Sequence, residues 1–324
     1  MTARFAPGRL TFNALLACAG VLLSGASIAA EQPVKLAAHF IITMTHVQVG
    51  ELTWTVDFTD NSYLASASGK ASGVLSVLVK GEGSISSRGM LGNGRLVPVS
   101  ARSEVSDEDG AYEARMTFDN GGLKHFENHG APAPKDVVRM LPEYLRNVAD
   151  PLSAMLIRYD ANAFAPANCG RTLRIFDGRR RYDLALTYKR IDSLPKMRGY
   201  AGRALVCNVV LHPIAGYKVG SLLVKYLAGK SDLEMWFAPV NGVAVMAPVR
   251  ALMPTLVGTM DISADEFAVV AVHTAAPAKP VEAAPLAPAQ PVEVAPPAAA
   301  KSVETARPAS PKPVEVAPLP PAKP

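Results

Sequence analysis

Along much of the chain, hydrophobic residues recur at every second position. Leu52, Trp54, Val56 and Phe58 alternate with Thr53, Thr55 and Asp57, and Ala114, Met116 and Phe118 alternate with Glu113, Arg115 and Thr117. Further on, Tyr182, Leu184, Leu186 and Tyr188 alternate with Asp183, Ala185 and Thr187, and Leu205, Cys207, Val209 and Leu211 form one more such face. A period of two predicts strands with one face buried and one wet, hence an antiparallel sheet. Turn residues separate the runs: Asp60-Asn61, Gly92-Asn93-Gly94, Asp119-Asn120-Gly121-Gly122 and Asp177-Gly178.

One segment breaks that rhythm. Asp150 is a good N-cap and Pro151 stands at the first helical position, where its missing N–H costs nothing. Leu152, Met155, Leu156 and Tyr159 then follow at helical spacing, with Ser153 in the first turn. A weaker helical stretch, residues 142–148, precedes it. The predicted fold is mainly β: a single curved antiparallel sheet or open half-barrel, with one or two short helices filling its concave side.

Residues 31–272 make up this β-rich domain, and the composition changes on both sides of it. In residues 1–30, Arg4 and Arg9 precede an apolar run over 10–23, and small residues end it, with Ser27 and Ala29 placed for cleavage. This is the pattern of a secretory signal peptide, and its core is too short for a membrane span. Leu15-Leu16-Ala17-Cys18 resembles a lipoprotein box. The apolar run continues past Cys18, which favours cleavage after Ala29 or Ala30 over an anchor there. Residues 273–324 are mostly Ala, Pro, Val, Lys and Glu, without an aromatic residue. Lys279-Pro280-Val281-Glu282 returns at Gln290, Lys301 and Lys312, an eleven-residue period. Such a segment cannot bury enough apolar area to offset chain entropy, so a disordered, proline-rich tail is expected.

Export changes the reading of the cysteines. Removal of the signal leaves Cys169 and Cys207, an even pair in an oxidising compartment, and a disulfide is expected between them. Charge excludes one class of partner. The chain has 33 basic and 28 acidic residues, too even a balance for a nucleic-acid-binding domain. Locally the balance tilts, since residues 171–203 hold ten basic residues and three acidic ones.

Candidate chemistry is sparse. His125 and His129 flank Glu127, but the surrounding glycines and alternation put them on a strand or loop, so no metal site is assigned. No cofactor motif, phosphate loop, carboxylate pair or Cys/His dyad appears, and no catalytic residue is assigned. Arg179, Arg180 and Arg181 follow the Asp177-Gly178 turn at a hairpin tip. Alternation turns Tyr182 inward and leaves Arg181 facing water, so the three arginines are a candidate contact for an anionic envelope component.

The segments Asp150-Pro151-Leu152-Ser153-Ala154, Cys169, Phe176-Asp177-Gly178-Arg179-Arg180-Arg181-Tyr182-Asp183, and Trp236 with Pro248-Val249-Arg250 and Gly258 carry a resemblance. Over residues 33–268 the chain resembles a periplasmic domain-of-unknown-function family of Gram-negative bacteria. The resemblance implies a curved all-β envelope domain, distantly similar to half-barrel lipoprotein carriers, and supplies no catalytic residues. The expectation is a non-enzymatic periplasmic protein holding an amphipathic or lipid-like ligand in the concavity of its sheet. An interaction scaffold, whose tail recruits a protein or crosses the peptidoglycan, is the alternative, and an envelope-polymer hydrolase is third.

Overall fold

The computed structural model describes residues 33–72, 81–92, 95–107, 110–119, 121–132 and 134–271. The signal segment with Cys18 and the proline-rich tail lie outside them. Seven strands come first: β1 (Val34–Met44), β2 (Val47–Phe58), β3 (Ser62–Ala71), β4 (Glu82–Gly92), β5 (Arg95–Asp107), β6 (Gly110–Asp119) and β7 (Gly122–Gly130). A 3₁₀ turn (Pro142–Leu145), helix α1 (Pro151–Met155), the two-residue β8 (Ile157–Arg158) and a second 3₁₀ turn (Pro166–Cys169) follow. The chain then forms β9 (Arg171–Phe176), β10 (Arg181–Ser193), β11 (Arg203–Ala215), helix α2 (Leu222–Ala228), β12 (Leu233–Val240), β13 (Val245–Thr255) and β14 (Gly258–Ala271).

All of these strands belong to one antiparallel sheet of order β7-β6-β5-β4-β3-β2-β1-β14-β13-β12-β11-β10-β9, with β8 on β13. It is not closed into a barrel. The sheet nevertheless curls, because residues from its far edges share one apolar cluster. Phe176 at the end of β9 packs with Ala101, Met116, Phe118 and Phe126 of β5, β6 and β7.

Helix α1 lies inside the curl. Leu152 and Leu156 join Trp54, Val56, Tyr63, Ala65 and Trp236 in the main core, and Ala204 and Val206 of β11 reach the same cluster. On the other face of β11, Leu205, Cys207 and Val209 meet Ile157, Ala163 and Cys169 in a second core. Residues 204–207 are therefore buried without alternation, as expected for a strand covered on both faces. The Cys169–Cys207 disulfide, with Cα atoms 5.6 Å apart, fixes the second 3₁₀ turn over that face.

Two helical expectations are corrected. Helix α1 stops at Met155, although Leu156 and Tyr159 continue its apolar spacing. Ile157 and Arg158 instead pair with Met246 and Val245, and a β-branched residue such as Ile157 suits that strand. The stretch 142–148 forms only the 3₁₀ turn at Pro142–Leu145, none of whose residues is buried.

Candidate ligand-binding site

The position of α1 is set by a buried polar cluster. The fully buried Asp150 accepts the N–H groups of Leu152 and Ser153 at 3.0 and 3.1 Å. Its second oxygen accepts the hydroxyls of Ser153 (2.5 Å) and Ser87 (2.9 Å), and Tyr63 donates to Ser153 Oγ at 2.6 Å. Asp150 thus caps the helix and ties it to β3 and β4 in one set of bonds. Burial pushes the Asp150 carboxyl above the ordinary carboxylate range. Tyr63 is also raised, first by burial and then by the Asp150 charge. Its ring requires Gly89 opposite, where an added Cβ would lie 2.3 Å from the Tyr63 hydroxyl. Nothing in this cluster reaches water, and it lacks a histidine, so its chemistry is that of a structural pin.

The β9–β10 tip differs from expectation. It is docked into the concave face of β5, β6 and β7. Asn128 Nδ2 donates to the Gly178 carbonyl at 2.9 Å. Gly178 has φ +98°, and a Cβ there would come within 2.3 Å of the Ala114 methyl, so both backbone and packing require glycine. The Asp177 carboxylate accepts the N–H groups of Arg179 (2.9 Å) and Arg180 (2.6 Å), and burial raises its pKa. The three arginines then part ways. Arg179 lays its guanidinium 3.4 Å from the centre of the Tyr112 ring and donates to the Ala131 carbonyl. Arg181, expected in water, is 4% exposed. It donates to the carbonyls of Tyr144 and Tyr182, both at 2.7 Å, and to Asp183 at 2.5 Å. The reason is a register shift between Arg181 and Tyr182 opposite β11, which breaks the alternation on which the expectation rested. Only Arg180 remains exposed.

Beside α1 and this tip, part of the inner sheet face is left uncovered. A cleft of about 280 Å³ runs between Pro151, Asp177 and Arg180 on one side and Leu52, Ile85, Val105 and Tyr112 on the other. Gly69 and Gly83 form part of its lining. They are direct cross-strand partners, and two side-chain-free positions in register leave a hollow in the sheet. A further hollow of about 380 Å³ shares Leu52, Gly69, Gly83 and Val105 and extends to Ile42, Val49 and Ala71 at the strand ends. The two form a continuous, mainly apolar trough. Leu52, Ile85 and Val105 are only half-buried in it, and the exposed Arg180 stands on its rim.

A larger hollow, about 820 Å³, takes most of its lining from the polar sheet face. It follows a cross-strand row of His39, Thr53, Ser68, Ser84, Glu104, Glu113 and His129. Glu51, Lys70, Glu82, Glu104 and Glu113 bring charge into its lining, whereas small-molecule sites are mainly apolar with a few placed polar groups. The trough, which shares Glu51, Lys70 and Glu82 with this hollow at its outer end and is otherwise lined mainly by apolar residues and glycines, is the closer to that description.

Other flagged residues have structural surroundings. His125 and His129 both face Glu127 on β7, at 3.0 and 3.3 Å, and these contacts hold the Glu127 carboxyl below its ordinary range. Among the described residues, no group of three or more His, Cys, Asp or Glu is placed to hold a metal ion. Arg250 makes a two-pronged contact with Asp261 at 3.1 and 2.6 Å and lies over the buried Trp236 ring at 4.9 Å. Helix α2 and the glycine pair of the trough escaped the sequence reading. The cap Ser221 before an apolar run was a signal for the helix, whereas two glycines fourteen residues apart in separate runs gave none.

The sequence matches the family described as "Protein of unknown function (DUF3108)" over residues 39–265, a span that contains most of the trough lining and the Asp150 cluster. No curated protein matches it. Among solved structures, the chain is similar to a beta-barrel-like protein of the domain of unknown function DUF1849 from Brucella abortus. The identity is 8%, the TM-score 0.41, and the match covers 75% of this chain and all of that one.

Proposed function

The chain belongs to the DUF3108 family, and within it we propose a non-enzymatic envelope protein that holds an amphipathic, anionic ligand in the apolar trough. The observation that carries this reading is the uncovered inner face beside α1. A sheet that buries Trp54, Val56, Tyr63 and Ala65 leaves Leu52, Gly69, Gly83, Ile85 and Val105 only partly covered. Removing an acyl chain and these side chains from water together is favourable at roughly 25 cal/mol per Å². Arg180, at the rim, supplies the charge-assisted contact that would orient an anionic head group. The signal-like first 30 residues and the Cys169–Cys207 bridge support a periplasmic setting. Among the described residues, no helix is long and apolar enough to cross a membrane. The repeated tail suits a second role, recruitment of a protein or peptidoglycan partner, and its eleven-residue period is the observation that favours it.

Titration with a fluorescent fatty acid tests the trough. Binding is expected to weaken about tenfold in Val105→Lys, which places a charge in the apolar lining. Arg180→Glu should weaken it about tenfold as well, by removing the charged contact. Unchanged affinity in both variants, with the fold intact by circular dichroism, would remove the trough as the site.

A further inference from the structure

We propose that residues 216–230 form a docking element that seats the protein reversibly on an anionic lipid surface, beside the mouth of the trough. Helix α2 is apolar in Leu222, Leu223, Val224, Tyr226 and Leu227, yet none of its residues is buried. Leu222 is 74% exposed, Leu223 48% and the preceding Val219 67%, and Val138 on the adjoining segment adds another 42% exposed residue. A contiguous exposed apolar patch of this kind marks an interaction surface.

The segment is a fixed platform. Ser221 Oγ accepts the Val224 N–H at 3.4 Å, and the Gly229 N–H closes the helix on the carbonyls of Lys225 and Tyr226. Before the helix, Gly216 donates to Val138, Val138 to Tyr217, and Val219 to Asp136, at 2.8, 2.9 and 2.8 Å. These bonds tie the strip before the helix to the segment 136–138, and the exposed Val219, Leu222 and Leu223 stand on it.

Charge selects the occupant. Lys218, Lys225 and Lys230 lie within the segment and Lys135 and Arg139 on the strip bonded to it, against the carboxylates of Asp136 and Asp232. Lys230 lies over the Tyr226 ring at 4.6 Å. Exposed leucines, an aromatic ring and flanking lysines match the chemistry of an anionic bilayer interface, where apolar side chains enter and long cationic ones reach the head groups. With a helix of only seven residues, the expected attachment is weak and reversible.

Its place in the fold links it to the trough. Gly216 packs against the arginine tip, where an added Cβ would lie 2.0 Å from the Arg179 carbonyl oxygen and 2.9 Å from Arg180 Cα. The docking element therefore begins beside the arginine on the trough rim, which would place the mouth close to the surface from which a lipid-like ligand comes. In that last respect the inference rests on the proposed ligand; the docking itself uses separate residues.

The test is co-sedimentation of the exported, naturally processed chain with phosphatidylglycerol-rich and with phosphatidylcholine vesicles. Preferential binding to the anionic vesicles is expected. Leu222→Ser with Leu223→Ser should reduce it at least about tenfold, and Lys225→Glu with Lys230→Glu about fivefold per lysine at low salt, less at high salt. The fatty-acid titration should be unchanged in the leucine variant, so that failure of docking and failure of the trough register separately. Equal sedimentation of wild type and leucine variant would overturn the proposal. So would a wild type that ignores anionic vesicles, or one that forms dimers broken by the same leucine substitutions, which would make the patch a contact between copies.

Discussion

Replacing Asp150 by alanine removes the acceptor of four hydrogen bonds at once: two backbone N–H groups of α1 and the hydroxyls of Ser153 and Ser87. Loss of the cap alone costs about 1–2 kcal/mol. The two hydroxyls, 2.8 Å apart, can bond each other, so one hydroxyl and the N–H groups bear the remaining cost, at about 1–3 kcal/mol for a buried unsatisfied group. The sum is about 2–5 kcal/mol, a large part of the stability of an ordinary domain. Tyr63→Phe, which removes one donor and leaves the cap, should cost about 1 kcal/mol. Asp150→Asn keeps an acceptor for the N–H groups and should cost less than Asp150→Ala. It also isolates the charge. A carboxyl whose pKa is raised by burial holds its proton more tightly in the folded chain. Its contribution is therefore complete below the unfolded value, about 3.9, and is lost as pH rises through the raised folded value. The advantage of wild type over Asp150→Asn should shrink with rising pH. Equilibrium urea unfolding with the disulfide intact measures all of this. A cost under about 1 kcal/mol for Asp150→Ala would refute the pin. A wild-type advantage that grows with pH would show that hydrogen bonding outweighs burial at this carboxylate.

Two further outcomes follow from the same geometry. Removing the Cys169–Cys207 bridge, which closes a separation of 38 residues, should cost about 4 kcal/mol in urea unfolding, and an unchanged midpoint would contradict the clamp on β11. Arg181→Ser should destabilise by about 3 kcal/mol or more, because it leaves Asp183 and two carbonyls without their buried partner; Arg180→Ser should change stability by under about 1 kcal/mol. Equal thermal midpoints for the two variants would contradict their separate placement.

The alternation that reveals β2 in the sequence is absent from β4. Its inward positions include Gly83, Ser87 and Gly89, because Tyr63 occupies the space over Gly89, Ser87 serves Asp150, and Gly83 lies in the trough. A strand whose inner face belongs to a site rather than to the core carries no hydrophobic period. The end of α1 departs from its spacing for the opposite reason: Leu156 fits a helical stripe and packs in the main core while closing the helix as its C-cap. The cysteine pair was legible because a bridge is the expectation for two cysteines that follow a signal-like segment, and the Cys169–Cys207 disulfide is formed. The arginine tip was legible as a turn, but its docking against Ala114 and Tyr112 depends on the curl of a sheet whose edges lie far apart in sequence.

The central claim is that the trough carries an amphipathic, anionic molecule. Native mass spectrometry of the protein purified gently from its own envelope tests it most directly, with the Val105→Lys variant prepared in parallel. One acyl-bearing anionic species per wild-type chain, released by organic extraction and missing from the variant, is the predicted result. A wild-type chain that carries nothing, or a bound species retained equally by Val105→Lys, would contradict it.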